Sequence, residues 1–225
     1  MKTLGIVSIF LSLSVALALP SETTEDPSVL KIEQAHLILD AQNGALQILE
    51  MLQISNPSEK LFIGDQPLAE GKRLVVRFLL PNEAQGTQIE QGFKECCLVE
   101  IPEGFGWTHP LPPGPEEVGY SYVIPYKGRR YTFQKVTPYA IQSLDILTRG
   151  FKIESKEVPL KEDSPVSIVG REYRHFTAEE IPAGGILKLE ISSLPLDIKA
   201  SVWMALVFGI LLLGFLLYAV KRGTP

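Results

Sequence analysis

The stretch from Val202 to Val220 holds 19 residues without a charge. As a helix it would be roughly 28 Å long, close to a hydrocarbon core ~30 Å thick, and this predicts a transmembrane helix over 202–220. Trp203 and Tyr218 stand near its two ends, where an aromatic belt sits, and Lys221-Arg222 follow at once as a basic anchor. The tail, 221–225, is then cytoplasmic. A glycolipid anchor would need the apolar run to end the chain, and the basic pair argues against it.

The opposite end reads as an export signal. Met1-Lys2 is followed by the apolar run Leu4 to Val15 and by Ala16-Leu17-Ala18, which predicts a signal peptide over 1–18. No Cys follows that run, so the lipid-modified class of signal is not supported, and Leu194-Pro195-Leu196-Asp197 is not a sortase motif. With Lys2 and Lys221-Arg222 both held inside, the segment between them is expected outside the cytoplasm, whether or not the signal is cleaved. The expected location is therefore the cell membrane, single-pass, with the main domain periplasmic or extracellular. Asn56-Pro57-Ser58 carries Pro where a glycosylation acceptor forbids it, which leans towards a bacterial cell envelope.

The two apolar ends account for a mean hydropathy of +0.14. Residues 19–200 hold 18 Lys+Arg against 26 Asp+Glu, leaving −8 where the whole chain carries −5. An acidic exported domain does not neutralise phosphate backbones, so nucleic acid is excluded as a partner.

Between the ends, 19–28 is polar and acidic with Pro20 and Pro27, and reads as a flexible lead-in. Asp40-Ala41-Gln42-Asn43-Gly44 lies between two apolar stretches, and Asn-Gly is a hairpin signal because both central positions of the tight turn need positive φ. Two antiparallel strands are expected there, with a helix through Ala45 to Gln53 as the alternative from its Ala, Leu, Gln, Glu and Met content. Alternation continues at Leu74 to Leu80, Glu95 to Ile101 and Val118 to Ile124. Val118 to Ile124 turns at Tyr126-Lys127-Gly128-Arg129 and returns along Tyr131 to Val136, as a second hairpin. Shorter strands are expected at Ser143 to Thr148, Phe151 to Glu154, Val166 to Val169 and Glu172 to Phe176, with Ile186 to Ile191 last. Many short strands with Gly/Pro turns and no long amphipathic helix indicate an all-β sandwich. The Pro/Gly-rich segment 102–115 is read as a linker or loop between a lobe at 29–101 and a lobe at 116–199, with one sandwich and a long crossing loop as the alternative.

Pro110-Leu111-Pro112-Pro113-Gly114 leads into the strand Glu117 to Pro125 and the turn Tyr126-Lys127-Gly128, and Ile181-Pro182-Ala183-Gly184-Gly185 opens a late strand before the terminal span. This arrangement resembles bacterial envelope proteins that carry an immunoglobulin-like or carboxypeptidase-regulatory-like β-sandwich on a C-terminal membrane anchor. The resemblance implies an immunoglobulin-like fold and a binding or scaffolding role, and it transfers no catalytic residues.

Cys96-Cys97 is the least ordinary feature. Adjacent Cα atoms lie ~3.8 Å apart, below the ~4.4–6.8 Å a disulfide prefers, and in a strand the two side chains point to opposite faces. The bland reading is one buried small residue and one thiol on the other face. The alternatives are a strained vicinal disulfide, an intermolecular bridge or a soft-metal site. His36, His109 and His175 lie far apart in sequence and are not expected to converge. The usual nucleophile, zinc-protease, phosphate-loop and Cys-x-x-Cys signatures are absent from the sequence, so no enzyme activity, metal or cofactor is expected.

Phe105, Trp107 and His109 form a candidate binding loop, with folding back over the core as its other use. Tyr120, Tyr122, Tyr126, Tyr131 and Phe133 alternate as core residues do, although a sugar-stacking platform is the alternative. Ser201, Ala205 and Gly209 make an i, i+4 stripe of small residues suited to helix association. The expected function is a non-enzymatic, membrane-anchored protein presenting an acidic β-sandwich to a membrane-protein or envelope partner. The alternatives are a thiol, soft-metal or haem-handling accessory using Cys96-Cys97 in envelope cofactor maturation, and a carbohydrate-binding module.

Overall fold

The computed structural model describes residues 22–196, and the predicted signal peptide, transmembrane helix and cytoplasmic tail lie outside them. In chain order the strands are β1 (Thr23–Thr24), β2 (Lys31–Gln42), β3 (Ala45–Asn56), β4 (Leu61–Phe62), β5 (Gln66–Pro67), β6 (Arg73–Leu74), β7 (Val76–Leu79), β8 (Gln85–Gln91), β9 (Leu98–Ile101), β10 (Gly104–Trp107), β11 (Gly114–Pro125), β12 (Arg130–Val136), β13 (Ala140–Arg149), β14 (Lys152–Glu154), β15 (Lys161–Ile168), β16 (Arg171–Ile181) and β17 (Ile186–Ser192). The described residues are thus all-β, with short 3-10 turns at Pro27–Val29, Ala69–Gly71 and Glu95–Cys97. None of their helices is long and apolar enough to cross a membrane.

A seven-stranded sheet in the order β15-β16-β13-β2-β3-β11-β8 forms the larger layer. Its centre is the β2–β3 hairpin, closed by Asn43 and Gly44 at φ 51° and 76°. Two successive positive φ angles are what a two-residue primed turn needs, so the strand expectation holds here and the helix alternative through Ala45 to Gln53 is overturned. Pairing wins over helix propensity because Leu46, Ile48, Leu52 and Ile54 repeat at period two and are all buried. β3 then pairs with β11 from Asn56↔Gly114 to Ala45↔Pro125, and β2 pairs in parallel with β13.

The smaller layer consists of two three-stranded sheets, β7-β10-β9 and β12-β17-β14. Phe78 and Phe105 stack at 4.8 Å between centroids, and Tyr120 of the large sheet meets Phe105 edge-on at 5.1 Å. Phe133, Leu187, Leu189 and Ile191 bring the β12–β17 pair into the same buried cluster.

Several expectations are corrected. Strands from both sides of 102–115 hydrogen-bond into one sheet and share one core, so the two-lobe division fails. The 102–115 segment is no linker either: it contains β10 and the start of β11, because Phe105 and Trp107 supply buried surface that outweighs the local Pro and Gly content. Tyr126 to Arg129 does not close a hairpin. β11 stays in the large sheet while β12 pairs with β17, so the turn crosses between layers. Alternation alone says which face is apolar and not which strand will be the neighbour. The lead-in is partly structured, since Thr23–Thr24 pairs in parallel with Leu61–Phe62 and the Asp26 carboxylate accepts the Ser28 N–H at 2.9 Å.

Candidate functional site

The two layers are joined by a buried ionic cluster. Glu50 is on β3, in phase with Leu46, Ile48, Leu52 and Ile54, and Lys135 is on β12, in phase with Phe133. Their side chains are only 5% and 9% exposed. The Lys135 ammonium donates to both Glu50 oxygens at 2.5 Å and to the Tyr120 hydroxyl at 2.9 Å. The Tyr120 and Tyr122 hydroxyls donate to the same carboxylate at 2.7 and 2.6 Å. Every charge in the cluster is therefore met by an opposite charge or a donor, which is the condition for keeping ions out of water. Burial lowers the pKa of Lys135 against the opposing pull of Glu50, and burial beside the carboxylate raises those of Tyr120 and Tyr122 well above 10.

An adjoining cavity of about 40 Å³, bordered by Glu50, Tyr120, Lys135, Val76 and Leu187, is far below the ~300–1,000 Å³ of a small-molecule site. The cluster is a clamp between layers. Sequence parity placed each of its members on an inward face, and Glu50 and Lys135 are the two charged side chains that this parity sends inwards together.

The binding loop expected at Phe105, Trp107 and His109 is corrected. Gly104–Trp107 is a strand, and Phe105 and Trp107 are 8% and 2% exposed, so neither ring offers a face to a ligand. His109 alone is half-exposed. Its Nε2 sits 2.8 Å from the Lys94 ammonium, and burial followed by that charge pushes its pKa down, leaving the imidazole as the acceptor. Tyr120, Tyr122, Tyr126 and Phe133 are buried, as their alternation as core residues predicts, and Tyr131 is half-buried.

Cys96 and Cys97 do not sit in a strand. They close the 3-10 turn Glu95–Cys97 ahead of β9, and both are free, Cys96 exposed and Cys97 half-buried. The strand expected over Glu95 to Ile101 holds from Leu98 onwards, as β9, and fails at Glu95–Cys97. The neighbouring Cys96 thiol, followed by burial, raises the pKa of the Cys97 thiol. The backbone there is pinned, with Cys97 N–H donating to Lys94 and its carbonyl accepting from Thr108 N at 2.8 Å and Oγ1 at 3.1 Å.

Two of the three histidines converge, contrary to expectation. His36 on β2, Asp145 on β13 and His175 on β16 lie on adjacent strands at the outer face of the large sheet. Asp145 takes His175 Nε2 at 2.7 Å and His36 Nδ1 at 3.4 Å, with Gln34 donating at 3.3 Å. Among the described residues no group of three or more His, Cys, Asp or Glu is arranged to hold a metal ion.

No protein-family model matches the chain, and no curated protein matches it. Ser201, Ala205 and Gly209, the expected helix-association stripe, lie outside the described residues.

Proposed function

We propose that this chain is a non-enzymatic, single-pass envelope protein whose immunoglobulin-like, acidic sandwich is a binding or scaffolding module held outside the cytoplasm by the span at 202–220. The observation that carries this reading is the open edge at β8. All seven of its residues are exposed, and it pairs on one side only, with β11. An unpaired strand edge is a template for another chain, and β8 holds a single charge, Glu90, and no Pro or Lys to blunt it. The opposite edge, β15, carries Lys161, Glu162, Asp163 and Pro165, charged residues and a proline that discourage pairing. The Glu50–Lys135 clamp keeps the layers fixed, so such an edge is presented preformed. A photoreactive side chain at Gln88 in the membrane-embedded protein is expected to capture a partner that the same probe at Glu162 does not. No adduct at Gln88 removes this reading. Gly209→Leu is expected to weaken co-purification of that partner through the span.

A second reading is favoured by one feature, the adjacent free thiols of Cys96 and Cys97, the first of them exposed: a thiol or soft-metal accessory in envelope cofactor maturation. Titration with a chromogenic disulfide should then count two reactive thiols in the native protein. Inert thiols end it.

A further inference from the structure

β8 ends the larger sheet and β9 ends the β7-β10-β9 sheet, each hydrogen-bonded to a strand on one side only. Tyr120 and Phe105 meet across the layers at 5.1 Å, and residues directly opposite in an antiparallel pair share a face. Ile89, opposite Tyr120, and Glu100, opposite Phe105, are therefore turned into the gap between the layers at its open side. That gap is a cleft of about 350 Å³ with Leu80, Ile89, Leu98 and Phe105 among its walls, within the ~300–1,000 Å³ of a binding site. Ile89 is 40% exposed beside it. Glu100 is the one charged side chain among the described residues that line the cleft. It is exposed, and its carboxylate has no hydrogen-bond or ion-pair partner among the described residues.

A carboxylate without a partner, set in an apolar cleft, suits one kind of side chain: the stem of a Lys or Arg lies along apolar surface while its head meets the charge. The surroundings carry the same sign. Between Asn82 and Gly104, Glu83, Glu90, Glu95, Glu100 and Glu103 stand against Lys94 alone, so this stretch holds −4 of the −8 carried by residues 19–200. A second copy docking through the same side would set −4 against −4, which favours a basic partner over self-association. Resting on the reading of β8 as a docking edge, we infer that β8 takes an extended basic segment of a partner protein as an added strand, and that one Lys or Arg of that segment enters the cleft to pair with Glu100. Main-chain bonds along β8 hold the segment, and its alternate side chains, those turned to the cleft, supply the selectivity.

The test uses full-length protein in detergent and fluorescein-labelled nonapeptides with Val at odd positions, Thr at even ones, and Lys, Arg, Leu or Glu in the centre, read by fluorescence anisotropy. The Lys and Arg peptides are expected to bind tightest and to weaken with added salt. Glu100→Gln should weaken them by about 10-fold, the loss of one charge-assisted bond, and leave the Leu peptide unchanged. Glu100→Lys should turn the preference towards the Glu peptide. In parallel, the photoreactive probe at Gln88 is used in the membrane-embedded protein. An adduct at Gln88 with no preference for Lys or Arg among the peptides, or a preference that survives Glu100→Gln, overturns the cation cleft and leaves the docking edge standing. An adduct at Gln88 with a second copy of this chain overturns the basic partner. No adduct at Gln88 overturns both the edge and the cleft.

Discussion

Replacing Lys135 with methionine keeps the aliphatic stem and removes the charge that faces Glu50. Glu50 is then left as a carboxylate 5% exposed, held by the Tyr120 and Tyr122 hydroxyls at 2.7 and 2.6 Å. Two neutral donors do not replace the ammonium, and breaking a buried pair from one side costs about 3–5 kcal/mol. Against a total stability of ~5–15 kcal/mol that is a large fraction. With a urea slope near ~2 kcal/mol/M the midpoint should fall by roughly 2 M. Trp107, 2% exposed beside the same aromatic cluster, reports the transition by fluorescence once Trp203 is changed to phenylalanine. The double variant Glu50→Gln/Lys135→Met restores a neutral interior in which the amide can still pair with the tyrosines, and should lie within about 1–2 kcal/mol of the natural protein. A midpoint for Lys135→Met that drops by less than ~0.5 M, or a double variant no better than the single one, would refute the account of Glu50 as an ion held out of water by its partner.

Two positions with positive φ should respond in opposite directions. Val169 sits at φ 49° and is 96% exposed in the β15–β16 turn, so Val169→Asn relieves left-handed strain at no packing cost and should stabilise by about 1 kcal/mol in urea. Gly92 sits at φ 79°, and a Cβ there would come within 1.9 Å of the Glu117 carbonyl oxygen, so Gly92→Ala should lower the same midpoint and loosen the β8 edge to proteolysis. Burial raises Tyr131 and Tyr139 to about 12 and Tyr120 and Tyr122 well above 10. A tyrosine pKa raised by folding means that the native state holds its proton longer, so this stability is whole below pH ~10 and is lost as pH rises through the native values. Phenolate absorbance should therefore lag for these four groups until the protein unfolds. Free-phenol titration near pH 10 in the native state would contradict their burial.

Much of the strand layout was legible locally. The Asn43-Gly44 turn announced the β2–β3 hairpin, and period-two alternation put Tyr120, Tyr122 and Phe133 inside. The same rule carried Glu50 and Lys135 to inward faces, although they are charged. At Lys94-Glu95-Cys96-Cys97 the strand reading failed, and Glu95–Cys97 form a 3-10 turn ahead of β9. Phe105 and Trp107 were misplaced because Gly and Pro neighbours marked a loop, while their buried area made the segment an interior strand.

By itself the sequence determined the all-β character, the acidic balance of residues 19–200, and which side of most strands is apolar. These depend on residues a few positions apart, through turn dihedrals and the two-residue period of a strand. Tertiary structure alone decided that β12 leaves β11 for β17, and that Glu50 meets Lys135 85 residues away. It also brought His36 and His175 to one carboxylate across three neighbouring strands. The reason is that alternation encodes a face and carries no record of the partner, so long-range pairing is settled by how the apolar faces close over one another and by which buried charges can neutralise each other there.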